Sequence, residues 1–145
     1  MKTKKFLIIF VLIVLVIVGS IICLGFTSKN NKKDLKNYNH EYEQYLDKTI
    51  TGVDLATLVD KAINQNEENK IKKDTYMHYI EDEKNSIKIE IKIKKTRKTY
   101  PMEEFYNNDM DRFIEFFGNE KFKCTGIEYH DKSGKLSKMF FKQIA

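Results

Sequence analysis

Residues 86–94 read SIKIEIKIK, which is the clearest strand pattern in the sequence. Apolar and charged side chains alternate strictly along it, which is typical of a strand with one buried and one solvated face. We therefore predict that its isoleucines face a core and that its charged side chains face outward. The buried set is Ile87, Ile89, Ile91 and Ile93, and the outward set is Lys88, Glu90, Lys92 and Lys94.

Three further strand patterns surround this stretch. Residues 75–80 are rich in strand formers and are separated from it by a short polar segment, which predicts a hairpin. Residues 121–130 and 136–144, joined by a glycine-containing turn, predict a second hairpin. Gly126 shifts the alternation of the first of these strands by one residue, which predicts a β-bulge.

Helical patterns flank both predicted hairpins. Thr51 and Asp54 have the spacing of a capping box, and apolar residues then recur with helical spacing over about 13 residues. A second helix is predicted to begin near Pro101 and to stop at Gly118. Residues 35–46 also carry a helical apolar stripe, which is compatible with a stalk or with a helix docked on the domain.

The resulting prediction is an α+β domain with an antiparallel sheet of about four strands, arranged as two hairpins and covered by helices. It follows an N-terminal transmembrane helix. The predicted organisation is a tail at 1–5, a transmembrane helix at 6–26, a juxtamembrane link and stalk helix at 27–48, and the domain at 49–145.

Residues 6–26 read FLIIFVLIVLVIVGSIICLGF and contain no charge and no proline. A helix of about 20 apolar residues spans a bilayer, so we interpret this segment as a signal anchor in contact with membrane lipid. A cleaved signal peptide is the main alternative, although its apolar region usually runs only about 7–15 residues. A lipoprotein signal fits poorly, because Ile22 rather than a small residue precedes Cys23.

The distribution of charge bears on orientation and on partners. Six of the 26 basic side chains and no acid lie in residues 1–33, so 20 basic and 21 acidic side chains remain in the rest, a net charge of −1. This balance gives no support for nucleic-acid binding.

Long domains that follow a short-tailed anchor usually translocate, which predicts an extracytoplasmic domain. The two cysteines give no disulfide framework, as is common on Gram-positive surfaces.

Candidate chemical groups are few. Cys124 is the one thiol after the apolar segment, and His130 lies roughly 20 Å along the same predicted strand, so a catalytic base would have to be His78 or His40. We predict a structural role for Cys124, and whether the chain is an enzyme stays open. Glu104, Asp111 and Glu115 follow helical spacing, which is typical of a solvated helix face. No cofactor or metal motif is found, so we predict neither.

Residues 94–98 read KKTRK and form a basic cluster. Lipid phosphate, an anionic wall polymer and nucleic acid are possible ligands for such a cluster. A solvated strand exit facing Glu103 and Glu104 accounts for it more simply.

The chain contains ITG and DLATL within 50–58, KAI at 61–63, SIKIEIK at 86–92, and FKCTGIEYH at 122–130 before Gly134. In these segments it resembles a set of small, uncharacterised membrane-anchored proteins of clostridia and related Firmicutes. That group has no assigned activity, so the resemblance implies none. The plan of an apolar helix before an α+β head is also similar to type IV pilins, but here the apolar run precedes the sequence Gly25-Phe26-Thr27 instead of following it.

From these features we expect a single-pass membrane protein of the cell envelope that acts as a binding or assembly module with a protein partner. The alternatives are a subunit of a secretion, conjugation or pilus-like machine and, third, an enzyme using Cys124. The surface that we predict for partner binding is Lys88, Glu90, Lys92 and Lys94.

Overall fold

A computed structural model describes residues 33–144 of the chain. Within them, a compact unit begins at Tyr38 and contains the whole sheet. No helix of this described part is both long enough and apolar enough to cross a bilayer. The transmembrane helix that we predicted at residues 6–26 lies outside the described residues.

The described chain has a mixed α+β fold, which confirms the predicted class. A five-stranded sheet packs against helices on one of its faces. The elements are α1 (residues 33–43), β1 (Thr49–Thr51), α2 (Gly52–Glu68), β2 (Lys88–Lys92), β3 (Thr99–Pro101), α3 (Met102–Asn107), α4 (Met110–Phe117), β4 (Lys121–Tyr129) and β5 (Leu136–Ile144).

The order of strands across the sheet is β1-β4-β5-β2-β3, so β5 lies at its centre. β5 pairs antiparallel with β4 and parallel with β2. The sheet is therefore mixed, and the prediction of an antiparallel sheet of about four strands is wrong in pairing and in strand number. The alternation in β2 correctly identified its buried face, because Ile89 and Ile91 are fully buried.

The predicted first hairpin does not form, because residues 75–80 bond to the backbone just before them and to side chains, and not to the strand that follows. The Ile80 N–H, for example, donates to the Lys72 carbonyl at 2.8 Å. The Asp74 carboxylate accepts a hydrogen bond from the His78 N–H at 2.9 Å. The Glu103 carboxylate accepts one from the Tyr79 N–H at 3.0 Å. Tyr79 is 2% exposed, so this segment contributes one large ring to the core as a loop.

The predicted second hairpin is confirmed. β4 and β5 pair along their length, and the turn between them lies at 131–135. The register shifts between Cys124 and Gly126, which places the extra residue of a bulge at Thr125. The bulge was predicted from Gly126.

The capping box of α2 is also confirmed. The Thr51 hydroxyl accepts a hydrogen bond from the Asp54 N–H, and the Asp54 carboxylate accepts one from the Thr51 N–H, both at 3.1 Å. The helix then runs for 17 residues, further than the predicted length. Near its end, the buried Asn66 amide donates to the Ile87 carbonyl and accepts from the Ile87 N–H, both at 2.8 Å. These two bonds fix the end of α2 to the start of β2.

The predicted helix between Pro101 and Gly118 is split in two. Asp109 has φ 87°, a conformation that a helix does not contain, and it separates α3 from α4. Its carboxylate accepts a hydrogen bond from the Asp111 N–H at 3.0 Å and so caps α4. The stop at Gly118 holds, although this glycine has right-handed backbone angles.

The start of α2 lies close against the end of α4, and backbone groups bond directly across this contact. The Gly52 N–H donates to the Glu120 carbonyl at 2.9 Å, and the Val53 N–H donates to the Gly118 carbonyl at 3.2 Å. A Cβ atom at Gly52 would lie 1.9 Å from the Phe117 carbonyl oxygen. Only glycine therefore fits at this crossing.

Helices α1 to α4 and the apolar face of the sheet share one core. Tyr42 of α1 is fully buried, and its hydroxyl donates to the Gln65 side chain at 2.8 Å. The sequence left open whether this segment is a stalk or a helix docked on the domain. Residues 38–43 of it are docked on the domain. Within residues 33–144, the other large side chains that are fully buried are Leu55, Ile63, Tyr79, Ile87, Ile89, Ile91, Met102, Phe122, Leu136, Met139 and Phe141.

Candidate binding surface

The second face of the sheet carries the polar side chains of the three central strands. The core covers the first face, and within residues 33–144 no helix lies over the second. We call this second face the open face. It contains the outward residues of β2 that the sequence predicted, namely Lys88, Glu90 and Lys92, beside Lys138, Phe140 and Lys142 of β5 and Lys123 and Glu128 of β4.

At one end of the open face the charges are balanced. The Lys138 ammonium lies 3.9 Å from a Glu90 carboxylate oxygen and 3.8 Å from one of Glu128. A third carboxylate, that of Glu81, is 4.0 Å away. Lys88 is the cross-strand neighbour of Lys138. This end already holds the counter-charges that its lysines need.

The other end of the open face carries a row of three lysines. Lys92 of β2 is paired with Lys142 of β5, and Lys142 is paired with Lys123 of β4. We call these three residues the lysine row. Lys123 lies 3.9 Å from Asp47, whereas neither Lys92 nor Lys142 forms an ion pair with any described residue. Like charges directly opposite one another destabilise a sheet, so the row carries positive charge at a cost in stability.

Sequence reasoning missed two members of this row. It chose Lys92 from the alternation of β2 but passed over Lys142 and Lys123. The spacing of Lys138 and Lys142 around Phe140 in β5 was a usable signal. The parallel pairing that brings Lys142 beside Lys92 was not predictable from adjacent segments.

Lys94, the fourth predicted surface residue, lies in the turn after β2. Its backbone N–H donates to the Gln143 side chain at 3.0 Å. Lys88, Glu90 and Lys92 thus share the open face, and Lys94 belongs to the connection between β2 and β3. This connection also contains the rest of the basic cluster, residues 94–98.

The basic cluster has no ion pair with Glu103 or Glu104, the two acids that the sequence suggested. Glu103 is 3% exposed and accepts a hydrogen bond from the Tyr79 backbone. Glu104 lies 3.8 Å from the His78 ring. Both carboxylates therefore serve other contacts.

Cys124 lies in the core, on the covered face of β4. It is fully buried, and its thiol donates weakly to the Gly126 carbonyl at 3.7 Å. Burial raises the pKa of this thiol, which disfavours the nucleophilic thiolate. The ring of His130 bonds the Ser86 carbonyl at 2.7 Å. These contacts are those of a structural cysteine.

We expect Cys124 to resist modification in the folded chain. In a Cys23→Ser background, its reaction with a disulfide reagent should be at least about a hundredfold slower than in concentrated urea, because the thiol must first be exposed by opening. A Thr125→Cys variant lacking both native cysteines is the matched control, since Thr125 is exposed on the bulge. Equal native rates for the two positions would contradict this prediction.

Metal-binding chemistry finds no support in the described residues. No group of three or more His, Cys, Asp or Glu side chains there is arranged to hold an ion. Glu104, Asp111 and Glu115 are all exposed. The feature of the described residues that remains as a candidate site is the open face, with its charged side chains.

Comparisons with known proteins identify no relative of this chain. No family model matches the chain, and neither the curated proteins nor the solved structures include a match.

Proposed function

We propose that this chain is a binding or assembly module of the cell envelope, anchored through residues 6–26, and that its partner is a protein with an acidic surface. The anchor would concentrate the domain at the membrane, where a modest contact gains from high local concentration. The observation that carries the proposal is the lysine row on the uncovered face of the sheet.

The lysine row fits an acidic partner better than the rest of the open face does. Lys92 and Lys142 are exposed and lack carboxylate partners among the described residues. A partner carboxylate would relieve their mutual repulsion and gain a charge-assisted hydrogen bond. At Lys138, by contrast, three carboxylates already surround the ammonium group. We therefore place the contact at Lys92, Lys123 and Lys142 and move it away from Lys88 and Glu90.

Charge reversal tests this proposal. A photo-reactive amino acid at Thr99, which is paired with Lys92 on the edge strand β3, should cross-link the partner in intact cells. Changing Lys92, Lys123 and Lys142 together to Glu should reduce the cross-linked adduct by about tenfold or more, since three attractions become repulsions. Cross-linking at raised ionic strength should fall in the same direction.

The matched control changes three exposed lysines away from the open face, Lys70, Lys72 and Lys84, to Glu. It alters the net charge of the domain equally and should leave the adduct unchanged. An equal loss in both variants would show a general charge effect and would refute the lysine row as the contact. If the adduct contains an ATPase or a polytopic membrane protein, the partner belongs to a secretion-type machine.

A further inference from the structure

A cavity of about 750 Å³ lies between the β2–β3 turn and α4, and no member of the lysine row lines it. This volume is in the range of sites that hold small molecules. Its apolar wall is formed by Ile93, Phe116 and Phe117. Phe116 is 64% exposed, which is costly for so large an apolar side chain and leaves its ring open to a ligand.

The turn that forms the opposite wall has a fixed backbone. The Ile93 N–H donates to the Lys98 carbonyl at 3.0 Å, and the Arg97 N–H donates to the Ile93 carbonyl at 2.9 Å. Arg97 adopts the left-handed conformation, with φ 58°. The Lys94 N–H is held by the Gln143 side chain, whose amide also donates to Glu120 at 3.1 Å. The cavity is thus preformed from three separate parts of the chain.

The charge around the cavity is strongly one-sided. Lys94, Lys95 and Arg97 line it, and Glu120 is the one acid of the lining. None of the three cations forms an ion pair within residues 33–144. Glu120 already accepts the hydrogen bond from Gln143. The lining therefore presents an apolar wall and a net charge of +2 to a single occupant.

We infer that this cavity binds a small anionic amphiphile, a molecule with one apolar chain or ring and a carboxylate or phosphate at its end. The apolar part would cover Phe116, and the anionic group would bind the cations of the turn. Arginine suits this role because its guanidinium makes paired hydrogen bonds to carboxylate or phosphate. This inference is independent of the proposed partner site, which uses other residues.

The test uses the full chain in nanodiscs of neutral phosphatidylcholine, with its isoleucine methyl groups labelled for NMR. Titration with octanoate or with octyl phosphate should shift the Ile93 methyl signal in a saturable way. Octylamine, which carries the same chain and the opposite charge, should not. The Ile63 methyl group, fully buried in the core, reports whether the fold is intact.

Two variants examine the two walls of the cavity separately. Arg97→Asn keeps a residue that tolerates the left-handed conformation while removing the charge. Phe116→Ala removes the exposed ring. Each should weaken octanoate binding by about tenfold, the effect of one charged hydrogen bond or one aromatic contact. The matched controls, Lys72→Asn and Tyr76→Ala, remove an exposed cation and an exposed ring elsewhere and should bind octanoate as the unaltered chain does.

Several results would overturn the inference. The Ile93 signal would stay unmoved by octanoate if the cavity takes no such ligand. An equal response to octylamine would mean that the cations do not select the occupant. A changed Ile63 signal in Phe116→Ala would mean that this variant disturbs the core. The test then rests on Arg97→Asn, and octanoate binding by Arg97→Asn equal to that of the unaltered chain refutes the site.

Discussion

Replacing Gly52 by Ala should lower the free energy of unfolding by about 3 kcal/mol, at the upper end of the cost of overpacking. The new methyl group would lie 1.9 Å from the Phe117 carbonyl oxygen, which is backbone and cannot rotate away. Alanine normally favours a helix over glycine by about 1 kcal/mol. Here the clash outweighs that gain, because the start of α2 and the end of α4 must separate to relieve it.

Urea unfolding of the full chain in mild detergent measures this loss. Tyrosine fluorescence reports on the folded unit, because all eight tyrosines lie between Tyr38 and Tyr129. Gly126→Ala is the matched control, since a Cβ there meets its nearest atom, on the Phe140 ring, at an ordinary 3.5 Å. If the two variants unfold at the same urea concentration, the close crossing at Gly52 is not needed for stability.

Asn66→Ala should cost a similar amount, about 3 kcal/mol. The change leaves the buried N–H and C=O of Ile87 without partners, and each orphaned group costs about 1–3 kcal/mol. Water cannot easily replace the amide, because Asn66 and Ile87 are both fully buried. Loss of these bonds should also free the start of β2, so its amide hydrogens should exchange faster than those of β4.

Asn64→Ala provides the control for this prediction. Asn64 lies on the exposed side of the same helix, and its amide contacts only the Asp60 carboxylate at 3.2 Å. Its replacement should change the unfolding free energy by less than about 0.5 kcal/mol. The same urea experiment compares the two variants. An Asn66→Ala chain as stable as the Asn64→Ala chain would contradict the role of the buried amide.

The sequence predicted those parts of the fold that depend on local pattern. The capping box at Thr51, the burial of alternate residues in β2 and the bulge beside Gly126 are set by residues a few positions apart. Their outcome therefore needed no knowledge of distant partners. The hairpin of β4 and β5 is also local, because a short turn joins its strands.

The sequence failed where distant groups decide. Residues 75–80 have strand-like composition, but Glu103 occupies the Tyr79 N–H that a neighbouring strand would have used. β2 then pairs with β5, which lies far along the chain. The alternation of apolar and polar residues in a strand does not indicate which other strand it pairs with. The lysine row was missed for the same reason, since its three members meet only through that pairing.

The central place of β5 also sets the order of events during synthesis. A ribosome that has made residues up to 135 has produced every other strand, yet β4 and β2 still lack the strand that joins them. Each then presents an unpaired edge, the kind of surface on which unfinished chains associate wrongly. Until residue 144 has emerged, the nascent domain therefore lacks its central strand and exposes these two edges.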